Sequence, residues 1–363
     1  MLRTLLRSVK IGPIFLALFT ISLASPLHVQ GGEEITIFAT GDIMPSGRVL
    51  PFVKKHGYFY SYTETSEIFQ SGDMVIGNLE TPLTEKGMRF ENKKYTFKAP
   101  LESAKALKKA GFTHLSLANN HMMDYGTQGL TSTLEALNNE GIEYAGAGTS
   151  LPMARKASYV TIKDNKVAFL SYSNTFPTEF YATRDKAGTA PGYRTYIIND
   201  IKRAKAKADL IIVAFHWGAE RMQHPKDYQK KLARLAIDTG ANIVLGHHPH
   251  VLQGVEHYGA GVIFYSLGNF AFGSYSKSTK ESIIAKITVQ NFKIARVEAI
   301  PINVNNFEVH FKPEWLKGGK GREVITRLSE LSKPLGSDIL YADDVAQVKD
   351  AGKSDLTTLT GRR

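Results

Sequence analysis

Short apolar runs rich in β-branched residues alternate along this chain with stretches of helical period. The runs cover residues 35–40, 74–78, 113–118, 210–215, 243–245 and 262–266. The helical stretches cover residues 101–110, 127–139, 199–207 and 227–239. This alternation predicts buried strands separated by helices, as in an open α/β sheet. Most of the runs are followed by polar residues; Gly41-Asp42 comes after the first and Leu79-Glu80 after the second.

The polar residues that follow the strands are expected to meet, because loops leaving the carboxyl ends of such strands share one edge of the fold. They are Asp42, Glu80, Asn120, His216 and the cluster His247 to His250. Two closing strands, near 282–289 and 295–300, are expected to extend a second sheet. Beyond them we predict one helix at 322–332 and a poorly ordered tail from Lys349.

The segment Gly246-His247-His248-Pro249-His250 carries the strongest signal for chemistry. Imidazoles one residue apart beyond a buried strand can face one metal ion or two adjacent ions. Three histidines in four positions are hard to explain by packing. His216 ends another predicted strand; alone it would suggest a core histidine, but beside this cluster it indicates a metal ligand.

Oxygen ligands for the same ions are also available. Asp42 follows Gly41, which permits a tight turn that aims the carboxylate at a cation; an Asx-turn or a helix cap is the alternative. Glu80 offers a second carboxylate, and its alternative is a helix-start or ion-pairing role. Asn120 can supply a neutral carbonyl oxygen.

The N-terminus has the pattern of a secretory signal. Arg3, Arg7 and Lys10 precede an uncharged apolar run at residues 11–24 that ends in small residues. Because a mature spanning helix needs roughly 20 apolar residues, we predict a cleaved signal peptide at residues 1–31, with an uncleaved anchor as the alternative. Either way the protein is expected to be exported, to the periplasm or the outer face of the cell membrane.

Composition limits the partners only in part. The chain has no cysteine, so it offers neither disulfides nor thiolate ligands. Its formal net charge of +11 favours polyanions in general. Nucleic acid is not expected as a partner, because no RNA- or DNA-binding signature accompanies the charge.

Taken in order, these motifs resemble the CapA-type branch of the calcineurin-like metallophosphoesterases over residues 35–272. The matching motifs are Gly41-Asp42, Asn78-Leu79-Glu80, Asn119-Asn120-His121, His216-Trp217-Gly218, Gly246-His247-His248-Pro249-His250-Val251 and Ser266-Leu267-Gly268-Asn269-Phe270. The resemblance implies a four-layer αββα sandwich of the metallophosphoesterase type, with two mixed sheets flanked by helices. We assign it to residues 34–303, followed by a C-terminal extension at 304–363.

The resemblance also implies a site with two divalent metal ions, which could be Mn, Fe, Zn or Mg. The implied ligands are Asp42 for one metal, Glu80 as a bridge, Asn120 and His216 for the second metal, and His248 and His250 divided between the two. His247 is an alternative to His248, and His121 would protonate or stabilise the leaving oxygen. The residues expected on the substrate side are Asn78, Asn119, His247, Trp217 and Asn269.

Two positions depart from the family pattern. Met44 stands where the usual Asp-x-His motif has its ligand histidine, and Glu80 replaces the usual bridging aspartate. The first metal is therefore one ligand short.

The implied function is a metal-dependent hydrolase acting in capsule or poly-gamma-glutamate synthesis. The alternative is a non-catalytic metal- or polyanion-binding component of the polymer assembly. The implied partners are an anionic polymer such as poly-gamma-glutamate, an amide ligase and an integral membrane subunit.

Overall fold

The computed structural model describes residues 33–352. Its strands are β1 (Ile35–Ile43), β2 (Met74–Leu79), β3 (His114–Ser116), β4 (Glu143–Ala145), β5 (Ala147–Gly148), β6 (Ser158–Ile162), β7 (Asn165–Ser173), β8 (Gly188–Thr189), β9 (Leu210–His216), β10 (Ile243–His247), β11 (Val255–Tyr258), β12 (Gly261–Phe264), β13 (Glu281–Gln290), β14 (Lys293–Asn303), β15 (Glu314–Trp315), β16 (Ser337–Ala342) and β17 (Val345–Asp350). Its α-helices are α1 (Leu50–His56), α2 (Ser66–Phe69), α3 (Glu102–Ala110), α4 (Gly126–Asn139), α5 (Leu151–Ala154), α6 (Arg194–Lys205), α7 (Asp227–Thr239), α8 (Asn306–Val309) and α9 (Gly318–Ser332). The predicted signal peptide and the end of the predicted tail, from residue 353, lie outside the described residues.

The strands form two large mixed sheets. The larger has the order β16-β17-β14-β13-β1-β2-β3-β4, with β15 beside β14. Within it β1 to β4 run parallel, and β13 pairs antiparallel with β1. The second sheet has the order β11-β12-β10-β9-β7-β6, in which the four inner strands are parallel and the two edge strands antiparallel. A small pair, β5-β8, stands apart.

The two large sheets pack face to face. Because strand side chains alternate between faces, Ile37 of β1 points to one side and Phe38 to the other. Ile37 joins Ile212 and Leu245 of the second sheet in a buried cluster between the sheets. Burying an isoleucine or leucine side chain contributes about 2 kcal/mol, so this inter-sheet core holds the sheets in register.

Helices cover the two outer faces. Phe38 packs with Leu107 of α3 and Leu130 of α4 on the outside of the larger sheet. On the other side α6 and α7 cover the second sheet, with Ile201 packed near Ile211. The four-layer αββα sandwich predicted from the resemblance is confirmed.

Several element predictions need correction. The two closing strands, β13 and β14, are expected in a second sheet but lie in the same sheet as β1. Strand β13 pairs directly with β1, and Ile287 lies opposite Ile37. Helix α6 begins at Arg194 rather than 199, because Ile197 and Ile201 are buried one turn apart although the local composition is β-like. Helix α7 covers the predicted range 227–239.

Residues 304–352 pack against both sheets. They contribute β15, β16 and β17 to the larger sheet and the helix α9, which starts at Gly318, before the predicted residue 322. Leu328 of α9 packs into the core between the sheets. Among residues 33–352 no helix combines the length and the apolar character needed to cross a membrane.

Candidate metal centre

Asp42 lies inside a continuous strand and not in the turn that the sequence suggested. Its N–H donates to the carbonyl of Gly268 at 3.0 Å, and its carbonyl accepts from Phe270 N–H at 2.8 Å. Gly41 allows this close approach, because a Cβ added there would lie 2.0 Å from the Gly268 carbonyl oxygen. The main chain therefore fixes a fully buried Asp42 beside Asn269.

Two asparagines hold the neighbouring ligand loops. Asn78 of β2 donates to Asp42 Oδ1 at 2.8 Å. Asn119 donates to the carbonyl of Leu79 at 2.8 Å, and its Oδ1 accepts from His121 N–H at 3.1 Å. Both asparagine side chains are buried, and their amide groups form hydrogen bonds within the protein. Their expected position on the substrate side stays a prediction.

The histidine cluster forms a tight turn beyond β10. His248 and His250 have φ of 96° and 59°, in the left-handed region that side chains other than glycine rarely adopt. Such conformations cost about 1 to 3 kcal/mol each and persist where the surroundings impose them. The turn brings the ring of His248 to 4.8 Å from that of His216, centroid to centroid.

Ligand-type atoms gather in two groups that share Glu80. One group is Glu80, His216 and His248, and the other is Asp42, Glu80 and His250; within each group the atoms lie within 4.8 Å of one another. Glu80 Oε1 lies 3.6 Å from His216 Nε2 and 3.9 Å from His250 Nε2. Asn120 joins the first group, its Oδ1 lying 2.9 Å from His216 Nε2. The structure thus brings together all six residues that the resemblance implied as ligands.

Unpartnered buried atoms show that these residues fit divalent cations. Glu80 Oε1 and His248 Nδ1 are buried and have no hydrogen-bond partner within residues 33–352. Buried polar atoms without partners are rare and cost free energy, which a bound cation would recover. Mixed carboxylate, amide and imidazole ligands suit Mn, Fe, Zn or Mg.

Burial and neighbouring charge perturb the ionisation of the group. Burial raises the pKa of Glu80 well above its usual value, and the Asp42 carboxylate raises it further. Burial lowers the pKa of His216 well below its usual value and that of His248 to about 3, so both imidazoles are neutral, as metal binding requires. For His250 burial is outweighed by the carboxylates of Glu80 and Asp42, which raise its pKa to about 9.

His121 is held by two residues that the sequence analysis missed. Its Nδ1 lies 2.7 Å from Asp124 Oδ2 and 2.8 Å from Lys93 Nζ. Lys93 also pairs with Asp124 Oδ1 at 2.7 Å and donates to the carbonyl of Asn120. Burial lowers the pKa of His121, although Asp124 opposes the shift. The position of Asp124, three residues after His121, could have indicated this contact from the sequence. No feature of the sequence around Lys93 indicates its contact with His121.

The remaining predicted residues differ in where they lie. His247 is buried, with Nδ1 3.4 Å from Asp42 Oδ1, but it lies outside both ligand groups, so the structure places His248 and not His247 with Glu80. Trp217 is fully buried, stacks on Phe215 and donates to the Tyr265 carbonyl at 3.0 Å, so it lines no open surface.

The chain is similar to known capsule synthesis proteins in sequence. A family model described as bacterial capsule synthesis protein PGA_cap matches residues 36–274. The capsule biosynthesis protein CapA of Bacillus anthracis is 34% identical over 287 residues, which cover 77% of this chain and 70% of that protein. The PGA biosynthesis protein CapA of Bacillus subtilis (strain 168) is 37% identical over 267 residues, covering 73% of this chain and 70% of that protein. Among solved structures, the calcineurin-like phosphoesterase YfkN of Bacillus subtilis aligns with a TM-score of 0.40 and 13% identity, over 83% of this chain and 97% of that one.

Proposed function

Because the chain belongs to the bacterial capsule synthesis protein PGA_cap family, we propose that it acts in the synthesis or export of an anionic polymer such as poly-gamma-glutamate, as a metal-dependent hydrolase. The observation that carries the hydrolase is the pair of buried ligand groups that share Glu80. A carboxylate common to two adjacent groups could bridge the two cations of a dinuclear centre. The ligands would be Asp42, Glu80 and His250 for one cation and Glu80, Asn120, His216 and His248 for the other.

Two adjacent cations of this kind supply Lewis-acid activation of water and of a phosphoryl or acyl oxygen. The protein contributes the proton. His121 Nδ1 faces Asp124 Oδ2, while Nε2 makes no hydrogen bond within the described part of the chain. Asp124 fixes the ring orientation, so Nε2 is the atom that would deliver a proton to a leaving group. Because burial lowers the pKa of His121, its protonated form would be a stronger acid, and so a better proton donor, than an exposed imidazolium.

The test is hydrolysis of bis(p-nitrophenyl) phosphate and of poly-gamma-glutamate by purified protein reconstituted with Mn²⁺ or Zn²⁺. We expect His121→Ala to lower kcat by about 10² to 10⁴ with metal content unchanged. His250→Ala should lose activity together with metal. The exposed His224→Ala serves as the control. Equal turnover in the wild type, His121→Ala and His250→Ala would refute the hydrolase.

A second function, a non-catalytic assembly component, is favoured by one observation. Met44 replaces the histidine of the usual Asp-x-His motif, and its buried side chain leaves the first cation with fewer ligands. In that case the metal centre or the basic surface would hold the polymer without cleaving it. Retained binding of poly-gamma-glutamate that fades steeply with salt, without hydrolysis and without bound metal, would select this function.

Export and partners are parts of the same proposal. The signal-like residues 1–31 support a location outside the cytoplasm, in the periplasm or at the outer face of the membrane. An amide ligase and an integral membrane subunit would then supply the polymer from the membrane side. Fractionation of cells that express the full chain, with N-terminal sequencing of the product, tests both the location and the cleavage.

A further inference from the structure

We propose that Asn269 supplies the missing ligand of the first metal through its side-chain oxygen. The inference rests on the metal centre of the proposed function but not on hydrolysis. Asn269 is 2% exposed, and its Oδ1 lies 3.0 Å from His250 Nδ1. It reaches the site from the segment between β12 and β13, far in sequence from the Asp-x-His position.

The two ligand groups become equivalent once Asn269 is included. The second group has three ionisable ligands, Glu80, His216 and His248, together with the amide oxygen of Asn120 at 2.9 Å from His216 Nε2. The first group has Asp42, Glu80 and His250, and the amide oxygen of Asn269 at 3.0 Å from an imidazole nitrogen. Each cation would then have two ligands of its own, Asp42 and His250 for the first and His216 and His248 for the second. Each would also share Glu80 and bind one amide oxygen.

The distances suit ligands of one ion. With bonds of about 2.1 Å, neighbouring ligand atoms at right angles lie about 3.0 Å apart. Asp42 Oδ2 and Asn269 Oδ1 lie 2.9 and 3.0 Å from the same His250 Nδ1. A single ring N–H could only be shared between these two oxygens, as a three-centre hydrogen bond, whereas a cation in place of the proton would bind all three atoms directly.

The backbone fixes Asn269 in this position. Asp42 and Asn269 form a parallel bridge, with main-chain hydrogen bonds from Asp42 N–H to Gly268 and from Phe270 N–H to Asp42. Asn269 Nδ2 is buried and has no hydrogen-bond partner within the described chain. The side chain is therefore not held by an amide network of its own.

His247 is the rival for the same role, and the geometry disfavours it. It approaches Asp42 Oδ1, at 3.4 Å, whereas His250 and the N–H of His248 face Oδ2. Asn78 already donates to Oδ1 at 2.8 Å. His247 thus contacts a different carboxylate oxygen from the one that His250 contacts, and it lies outside both ligand groups. Because both of its ring nitrogens are buried without hydrogen-bond partners in the described chain, it is the rival that the experiment must test.

The experiment is titration of the metal-free full chain with Mn²⁺ alone, by calorimetry and by electron paramagnetic resonance. The wild type should bind two equivalents. Asn269→Ala should weaken one equivalent by at least about tenfold and leave the other within about threefold, while Asn269→Asp, which keeps an oxygen at the same place, should keep both. His247→Gln should retain both equivalents.

A crystal structure of the Mn²⁺-loaded protein, with the ions located by anomalous scattering, gives the direct test. We expect Asn269 Oδ1 within about 2.4 Å of one ion. A separation beyond about 3 Å, unchanged affinities in Asn269→Ala, selective loss in His247→Gln instead, or a wild type that binds no metal would each overturn the inference. Selective loss in Asn269→Ala without any hydrolysis by the wild type would sustain it and refute the hydrolase.

Discussion

The metal-free protein should be most stable near pH 6.5, with His250 responsible for the loss above that pH. The pKa of His250 is about 9 in the folded protein and about 6.5 in an unfolded chain. Its contribution to stability is therefore complete below pH 6.5 and is lost as the pH rises to 9. At 1.36 kcal/mol per pH unit, this removes about 3 kcal/mol from the free energy of unfolding.

Below pH 6.5 the free energy of unfolding changes with pH in the opposite direction. His216 and His248 stay neutral in the folded protein, because burial lowers their pKa, but they take up protons when the chain unfolds. The unfolded state then binds more protons, so the free energy of unfolding falls as the pH decreases. Glu80 opposes this trend, because burial raises its pKa and it therefore takes up its proton at a higher pH in the folded protein than in the unfolded chain.

The assay is urea unfolding followed by circular dichroism in the presence of EDTA, between pH 6.5 and 9. We expect the wild type to lose about 3 kcal/mol over this range and His250→Gln to lose less than about 1 kcal/mol. The exposed His224→Gln should behave as the wild type does. A flat wild-type profile, or the same loss in His250→Gln, would show that the electrostatic account of the site is wrong.

Two further predictions concern the scaffold of the site. Asp124→Ala should lower the free energy of unfolding by about 3 to 5 kcal/mol in chemical denaturation, because it leaves the ammonium of Lys93 largely buried without its carboxylate; a loss below about 1 kcal/mol would contradict this. Gly41→Ala should cost at least about 3 kcal/mol and impair metal binding, because the new Cβ would lie 2.0 Å from the Gly268 carbonyl oxygen. Gly319→Ala, on open surface, is the control and should change stability by less than about 1 kcal/mol.

The meeting of the candidate ligands at one edge of the fold could be predicted from the sequence, because each of them follows a recognisable strand. Glu80, Asn120 and His216 come at or just after apolar runs, and parallel strands deliver their carboxyl ends to one edge. Sequence could not choose between His247 and His248, since that depends on the left-handed turn at His248 and on which side of the strand each ring leaves.

Long-range pairing and the burial of single charges could not be predicted. The alternating apolar residues of β13 indicate a strand, but they do not identify β1 as its partner across more than two hundred residues. Lys93 stands beside Lys94 in a charged loop; in the folded chain the first is largely buried against Asp124 and the second is exposed. Only the fold separates two neighbouring lysines of the same chemistry.

The chain segment that connects the two sheets has a consequence for the metal selectivity of the proposed centre. The segment Gly268–Phe270 lies on the connection from β12 in one sheet to β13 in the other, and its main-chain bonds to Asp42 tie the site to that connection. Sliding one sheet against the other would change the spacing of the ligands. Trimming a residue such as Ile37, which lies in the core between the sheets, should therefore alter the ionic radius that the proposed centre prefers, so that aliphatic packing would contribute to its choice of ion.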